Sequence, residues 1–256
     1  MMKQFLEKVR AKNTQFGFAI SYPAPGILER IGKDWDWVWI DGQHGQLAYQ
    51  DVLDLIRVCE LMELPAIARV PSHEPSNIGM FLDAGANGII VPLVNTVEEA
   101  KAIVSAAKFP PLGERSFGGR RIIDRKSRDF AQSANDDTLL IAQIETPGAV
   151  ENAEAIAAID GIDALFLGPD DILLRRGVSM AKPRTKETLG DDMEAVAQAS
   201  NNNGIFSVMP AHTPEIIAYA HSLGFNMLAS GADTVFLTNG SDQASKAARQ
   251  AIQDNT

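Results

Sequence analysis

Apolar residues in this chain fall in short, evenly spaced blocks. Eight stand out, at residues 17–21, 37–41, 66–70, 88–94, 139–145, 164–168, 205–209 and 227–230. Most are nearly continuous apolar runs rather than strict alternations, which is how strands covered on both faces of a parallel sheet read. The intervening segments carry helix signals. Thr96-Val97-Glu98-Glu99 predicts a capping box, with Glu99 reaching back to the Thr96 N–H. Val97, Ala100, Val104 and Ala107 then share a face, and Pro110-Pro111 ends the helix. Thr146-Pro147 predicts a second start, a cap residue followed by proline at the first helical position. Asp83-Ala84-Gly85 predicts a helix end with glycine in the left-handed conformation.

Eight strand–helix alternations in 256 residues predict a closed (β/α)8 TIM barrel, an α/β fold occupying 1–256 as a single domain. An open doubly wound sheet would place a phosphate-binding glycine loop after its first strand, and neither G-x-G-x-x-G nor G-x-x-x-x-G-K-[ST] occurs. The longest irregular stretch, 109–129, carries Arg115, Arg120, Arg121, Arg125 and Arg128 among prolines and glycines. Loops of that length in compact domains are usually functional or mobile. The lone cysteine, Cys59, shares a helical stripe with Val52, Leu55, Ile56 and Met62, so it is expected in the core.

Composition narrows the function. A net charge of −10 argues against a nucleic-acid partner, because phosphate backbones want clustered Lys and Arg. No apolar stretch approaches the roughly 20 residues that span a bilayer. Residues 1–10 are too mixed for a signal peptide. A cytoplasmic enzyme with no membrane partner is the expectation.

In such barrels the catalytic groups sit where strands end. The second run ends Ile40-Asp41-Gly42-Gln43-His44, the third carries Arg69, the fifth ends Gln143-Ile144-Glu145, and the sixth ends Gly168-Pro169-Asp170-Asp171. Glu145 and Asp171 are the candidate metal ligands, since carboxylates suit Mg²⁺ or Mn²⁺ and leave positions open for substrate. Either one alone reads more simply as a helix cap or an ion-pair partner, and Asp170 could just cap the turn that follows. It is two carboxylates on neighbouring strand ends, beside a His and an Arg, that point to a site. His44, with Asp41 nearby, is the candidate general base. Arg69 inside an apolar run needs an anion, which Asp41, Glu145 or a bound carboxylate or enolate would supply. None of the eight runs contains a lysine, and Lys33, Lys101, Lys108 and Lys126 read as loop or helix-surface residues. Schiff-base chemistry, and with it pyridoxal phosphate, is therefore not expected. No nucleotide cofactor is expected either.

The strand-two segment Asp36-Trp37-Val38-Trp39-Ile40-Asp41-Gly42-Gln43-His44 resembles a motif of the HpcH/HpaI aldolases. So do Leu82-Asp83-Ala84-Gly85-Ala86 with Ile89-Ile90-Val91-Pro92-Leu93-Val94, then Gln143-Ile144-Glu145-Thr146, and Phe166-Leu167-Gly168-Pro169-Asp170-Asp171. The likeness runs from about Gly17 to Leu237 in the family's order. It implies a barrel of the phosphoenolpyruvate/pyruvate type and class II, metal-dependent pyruvate aldolase activity on 4-hydroxy-2-oxo acids, in aromatic or sugar-acid catabolism. Glu145 and Asp171 then match the ligands of Mg²⁺, Mn²⁺ or Co²⁺. His44 matches the base, Asp41 its partner, and Arg69 the residue that stabilises the enolate. Gln143 lies near the keto acid, and the backbone at Gly168, Pro169 and Asp170 receives its carboxylate. Asp83 matches an acid lent across an interface or placed behind the site. Arg115, Arg120 and Arg121 would border the aldehyde, although their loop departs from the Arg-Gly-Val-Gly form of several members. Gln43 replaces a common Glu. The resemblance also implies a homo-oligomer, a hexamer built as a trimer of dimers. Two other activities remain open: an acyl-CoA lyase of the citrate-lyase β or malyl-CoA type, and a non-catalytic barrel that binds a keto acid.

Overall fold

The computed structural model describes residues 2–11 and 13–253, so the outermost residues of the expected 1–256 domain lie outside the described part. Eight parallel strands close in chain order into a barrel, β1 pairing with β8. The strands are β1 (Gln15–Ile20), β2 (Trp37–Asp41), β3 (Ala66–Arg69), β4 (Gly88–Val91), β5 (Leu139–Ile144), β6 (Ala164–Leu167), β7 (Phe206–Pro210) and β8 (Met227–Ala232). Each falls on one of the apolar runs, with ends displaced by a few residues at most.

The predicted helix signals are present as hydrogen bonds. Thr96 Oγ1 accepts from the Glu99 N–H at 3.2 Å, and Glu99 accepts from the Thr96 N–H at 3.2 Å, opening the helix Val97–Ala107. Thr146 Oγ1 accepts from the Ala149 N–H at 3.0 Å. The helix Pro75–Ala84 stops at Gly85 with φ 99°, which a side chain would resist.

Two apolar layers hold the barrel. Outward strand residues such as Val38, Ile40, Ala68 and Ile89 pack with the helices, and Cys59 lies among them. Burial pushes the Cys59 thiol up to about 12, so it behaves as a small hydrophobe. Inward residues such as Trp37, Ile67, Ile90, Ile141 and Phe166 fill the interior. The helix Met2–Arg10 plugs the barrel's lower end with Phe5, Leu6 and Val9, an element that the apolar blocks do not announce.

The stretch 109–129 is not a plain loop. It contains the helix Arg120–Lys126, with an Arg120–Asp124 ion pair at 2.8 Å one turn apart. Ile122 anchors it in a small cluster with Phe109 and Phe130. Lys108 is also not a surface residue: it is 3% exposed. Its ammonium donates to the carbonyls of Asn135 and Thr138 at 2.9 Å each and to Asp163 at 2.7 Å. Those acceptors sit below the starts of β5 and β6, and three of them make burial of the charge tolerable.

Candidate functional site

Alternation along each strand decides which side chains meet above the interior. Trp37 points inward, so Trp39 and Asp41 follow it on that face of β2. Ile67 places Arg69 inward on β3, and Ile141 places Gln143 and then Glu145 inward on β5. The last inward layer is therefore polar on three strands, at their C-terminal ends.

Asp41 and Arg69 are register partners on β2 and β3. Arg69 Nε donates to one Asp41 oxygen at 2.9 Å and Nη2 to the other at 2.7 Å, with each residue 7% exposed. The same Asp41 Oδ1 accepts from the N–H groups of Gln43 and His44 at 3.1 Å each. Burial works to raise the Asp41 carboxyl, but Arg69 and the two N–H groups outweigh it and hold the group below the ordinary carboxylate range. Asp41 thus orients His44 through the backbone of the turn; its oxygens are spent on Arg69 and main-chain N–H groups rather than on the imidazole. The Arg69 guanidinium also lies 4.6 Å from the centre of the Trp39 ring, which meets Phe166 edge-on at 5.2 Å.

Glu145 sits one residue past β5. Its Oε1 accepts from the Leu93 N–H at 2.7 Å and its Oε2 from Gln143 Nε2 at 2.5 Å. Leu93 has φ 56°, a strained conformation for a branched side chain, and that strain aims its N–H at the carboxylate. Burial raises the Glu145 carboxyl and the Asp171 charge raises it further, against the opposing pull of the Leu93 N–H, Arg69 and Gln143. Asp171 stands in the first turn of the helix Pro169–Arg175 and pairs with Arg175, while Asp170 pairs with Arg184.

The Gly168 N–H donates to the Ile144 carbonyl at 2.9 Å, and Pro169 has no N–H. Neither backbone can bind a carboxylate by donation. The donors at this corner are the Asp170 and Asp171 N–H groups, which lie in the first turn with no preceding intrahelical carbonyl. Gly168 matters sterically, because a Cβ there would come within 2.7 Å of the Glu145 Cβ.

One cavity of about 130 Å³ joins these groups: Trp39, His44, Arg69, Gln143, Glu145, Phe166, Gly168, Pro169, Asp170, Asp171 and Pro210 line it. Gln143 Oε1 and Trp39 Nε1 are buried there without a hydrogen-bond partner. Among the described residues no group of three or more His, Cys, Asp and Glu side chains converges as a metal cage. A Glu145 carboxylate whose ionisation is opposed by burial and by the Asp171 charge, an orphaned amide oxygen and space for other ligands nevertheless fit a Mg²⁺-like ion, which commonly uses one or two carboxylates and keeps waters.

The sequence profile of the HpcH/HpaI aldolase/citrate lyase family matches residues 26–240. This chain belongs to that family. It is 42% identical over 180 residues, 69% of each protein, to a 4-hydroxy-2-oxovalerate aldolase of Novosphingobium aromaticivorans. It is 29% identical over 246 residues, 93% of this chain and 90% of the relative, to a 2-keto-3-deoxy-L-rhamnonate aldolase of Salmonella typhi. Among solved structures, an HpcH/HpaI family protein of Burkholderia cenocepacia J2315 superposes with TM-score 0.87 at 27% identity, covering 97% of this chain and 100% of that one. Macrophomate synthase superposes with TM-score 0.87 at 25% identity, covering 100% and 91%. The chain is an enzyme of the lyase class.

Not every residue expected from the HpcH/HpaI motifs reaches the mouth. Asp83 and Arg115 pair with each other at 2.8 Å and line a separate cavity of about 820 Å³, together with Arg120 and Arg121. Arg115 is held there by Asp83 and by the Phe109 ring, 4.6 Å from its guanidinium carbon. Arg121 bonds the Ala84 carbonyl at 2.8 Å and Glu60. Within one chain these arginines do not line the cavity that holds His44 and Arg69, because neighbouring carboxylates and a ring hold them elsewhere. Other mouth residues had no role assigned from sequence, although Trp39, Phe166 and Leu93 lie inside the motif segments: Trp39, Phe166 and Pro210 as walls, Leu93 as a donor, Arg175 and Arg184 as rim cations. His212, given no role from sequence, follows β7 and feels the charges of Arg184 and Asp170; burial, foremost, lowers its pKa.

Proposed function

We propose that this enzyme reversibly cleaves a 4-hydroxy-2-oxo acid to pyruvate, or a close 2-oxo acid, and an aldehyde, with a divalent metal held by Glu145 and Asp171. The observation that carries this reading is the single cavity where His44, Arg69, Gln143, Glu145 and Asp171 meet. The names of the aldolases it resembles favour the same substrate class. When bound, Mg²⁺, Mn²⁺ or Co²⁺ would supply Lewis-acid polarisation of the 2-oxo group.

The chain's own residues perform the rest. The Asp170 and Asp171 N–H groups receive the substrate carboxylate. Gln143 orients the oxo acid while its Nε2 steadies Glu145. In cleavage His44, directly or through one water, takes the proton from the 4-hydroxyl. The C3–C4 bond then breaks, the new carbonyl leaves as the aldehyde, and the electron pair stays on the three-carbon fragment as an enolate. Arg69, locked by Asp41, offers positive charge to that enolate without reorganising, which is where electrostatic catalysis is most effective. A proton delivered to C3 gives pyruvate. Addition runs the same path backwards.

Assembly is part of the proposal. The helix Asp233–Gln253 buries only Asp233, and Val235 and Leu237 on it are exposed, which supports a homo-oligomer; its hexameric form is what the family resemblance implies. The acyl-CoA lyase reading finds less support. A nucleotide would have to meet the arginines of 109–129, of which Arg115, Arg120, Arg121 and Arg125 are each paired with a carboxylate and Arg128 lies over the Phe117 ring, 4.8 Å from its centre. Metal removal tests the proposal: EDTA-treated protein should lose cleavage of 4-hydroxy-2-oxo acids and the exchange of deuterium into the methyl group of pyruvate, and Mn²⁺ should restore both. Full activity after complete chelation would overturn it. Malyl-CoA cleavage faster than oxo-acid cleavage would transfer the assignment to the CoA reading.

A further inference from the structure

Asp171, one of the two carboxylates assigned to the metal, does not stand free. Its Oδ1 is held by Arg175, one turn along the same short helix, in a pair whose side chains are 39% and 40% exposed. The neighbouring Asp170 is held in the same manner by Arg184. Glu145 is held only by a backbone N–H and an amide. The mouth thus treats its two metal carboxylates differently, with neutral donors on one and a full positive charge on the other.

The charge count gives this weight. Asp41, Glu145, Asp170 and Asp171 face Arg69, Arg175 and Arg184, leaving one negative charge in excess. A divalent ion entering this site meets little net attraction, and part of that deficit is Arg175. Two effects of the guanidinium oppose each other. Holding Asp171 in one rotamer favours metal binding, but an exposed helical pair of this spacing changes an affinity by only about twofold. Repulsion between a unit charge and a divalent ion a few ångströms away is larger, on the order of tenfold even in water-like surroundings. Repulsion wins.

We propose that Arg175 is the resident counter-ion of the metal carboxylate: it neutralises Asp171 before the metal arrives, competes with the metal for it, and so keeps the site weak and its metal exchangeable. This rests on the assignment of Glu145 and Asp171 as ligands. Arg175 is on this account a positioning and affinity-setting residue, not a catalytic one.

Mn²⁺ titration of the full chain, with free Mn²⁺ followed by electron paramagnetic resonance, tests it without reference to turnover. Arg175→Met should bind Mn²⁺ roughly tenfold more tightly than the native protein, the size of one unit charge acting on a divalent ion across a solvated gap. Arg175→Lys, which keeps the charge, should stay within about threefold of native. A gain in affinity is an effect that misfolding does not produce. Unchanged or weaker binding in Arg175→Met overturns the proposal, and so does a lysine variant that tightens as much as the methionine one. Asp171→Asn separates this from the underlying assignment: if it binds Mn²⁺ as the native protein does, the metal site itself is misplaced, whatever Arg175 does.

Discussion

At the mouth of the barrel Asp41 holds Arg69; at its base Asp163 holds Lys108. Both pairs are short and both cations are buried, yet their surroundings differ. At the base every ammonium proton has an acceptor, and Asp163 Oδ2 also takes the Leu140 N–H at 2.7 Å. At the mouth the pair sits beside a second carboxylate whose ionisation burial opposes, an amide oxygen with no partner and an indole N–H with none. A buried pair that is saturated serves the fold. A buried pair set among unsatisfied groups is poised for something that is not part of the chain.

The contrast can be broken by exchanging the damage. Arg69→Ala should lower kcat for oxo-acid cleavage by about 10³-fold, the order seen when one preorganised charge-stabilising donor is removed. Lys108→Met should leave kcat of the folded protein near native while costing about 1–3 kcal/mol of stability, because it leaves the half-buried Asp163 carboxylate and two carbonyls without their donor. A stable but inactive Lys108 variant would erase the distinction between the two ends. A smaller loss is expected from His44→Gln, roughly 10²-fold in kcat with Mn²⁺ affinity unchanged; a lost Mn²⁺ site would instead make His44 a ligand. The mildest effect is in pH. Asp41 has its folded carboxyl held below the ordinary range, so its contribution to stability is complete above that range and is lost as pH falls through the lowered value. Acid unfolding of Arg69→Ala should therefore begin at higher pH than that of the native protein. Coincident acid limbs would mean that the clamp adds nothing to folding.

The barrel was legible because burial on both faces leaves an uninterrupted apolar signature, and the runs at 37–41 and 164–168 fall on β2 and β6 with little displacement. Candidate mouth residues were legible for a related reason: a charge inside or just after such a run, as at Arg69 or Glu145, needs an explanation. What stayed hidden depends on distant partners. Lys108 looked like surface because its three acceptors lie 27 to 55 residues away. The arginines of 109–129 looked like a substrate loop because nothing local shows that Asp83 and Glu60 claim them. Asp41 reads from sequence both as the partner of His44 and as one possible anion for Arg69, and only the cross-strand register and two hydrogen bonds decide for Arg69. The bent backbone at Leu93 carries no residue signal at all; only its φ and its hydrogen bond disclose it.

Trp39 has a consequence of another kind. The three tryptophans of this chain sit at alternate positions of one five-residue segment, and Trp39 is the one whose ring walls the cavity beneath the Arg69 guanidinium. An indole emits according to the field around it, and the field here changes whenever an anion draws on Arg69. The enzyme therefore carries its own optical reporter. Stopped-flow emission should show the oxo acid arriving and the aldehyde departing on their separate timescales, with no label attached.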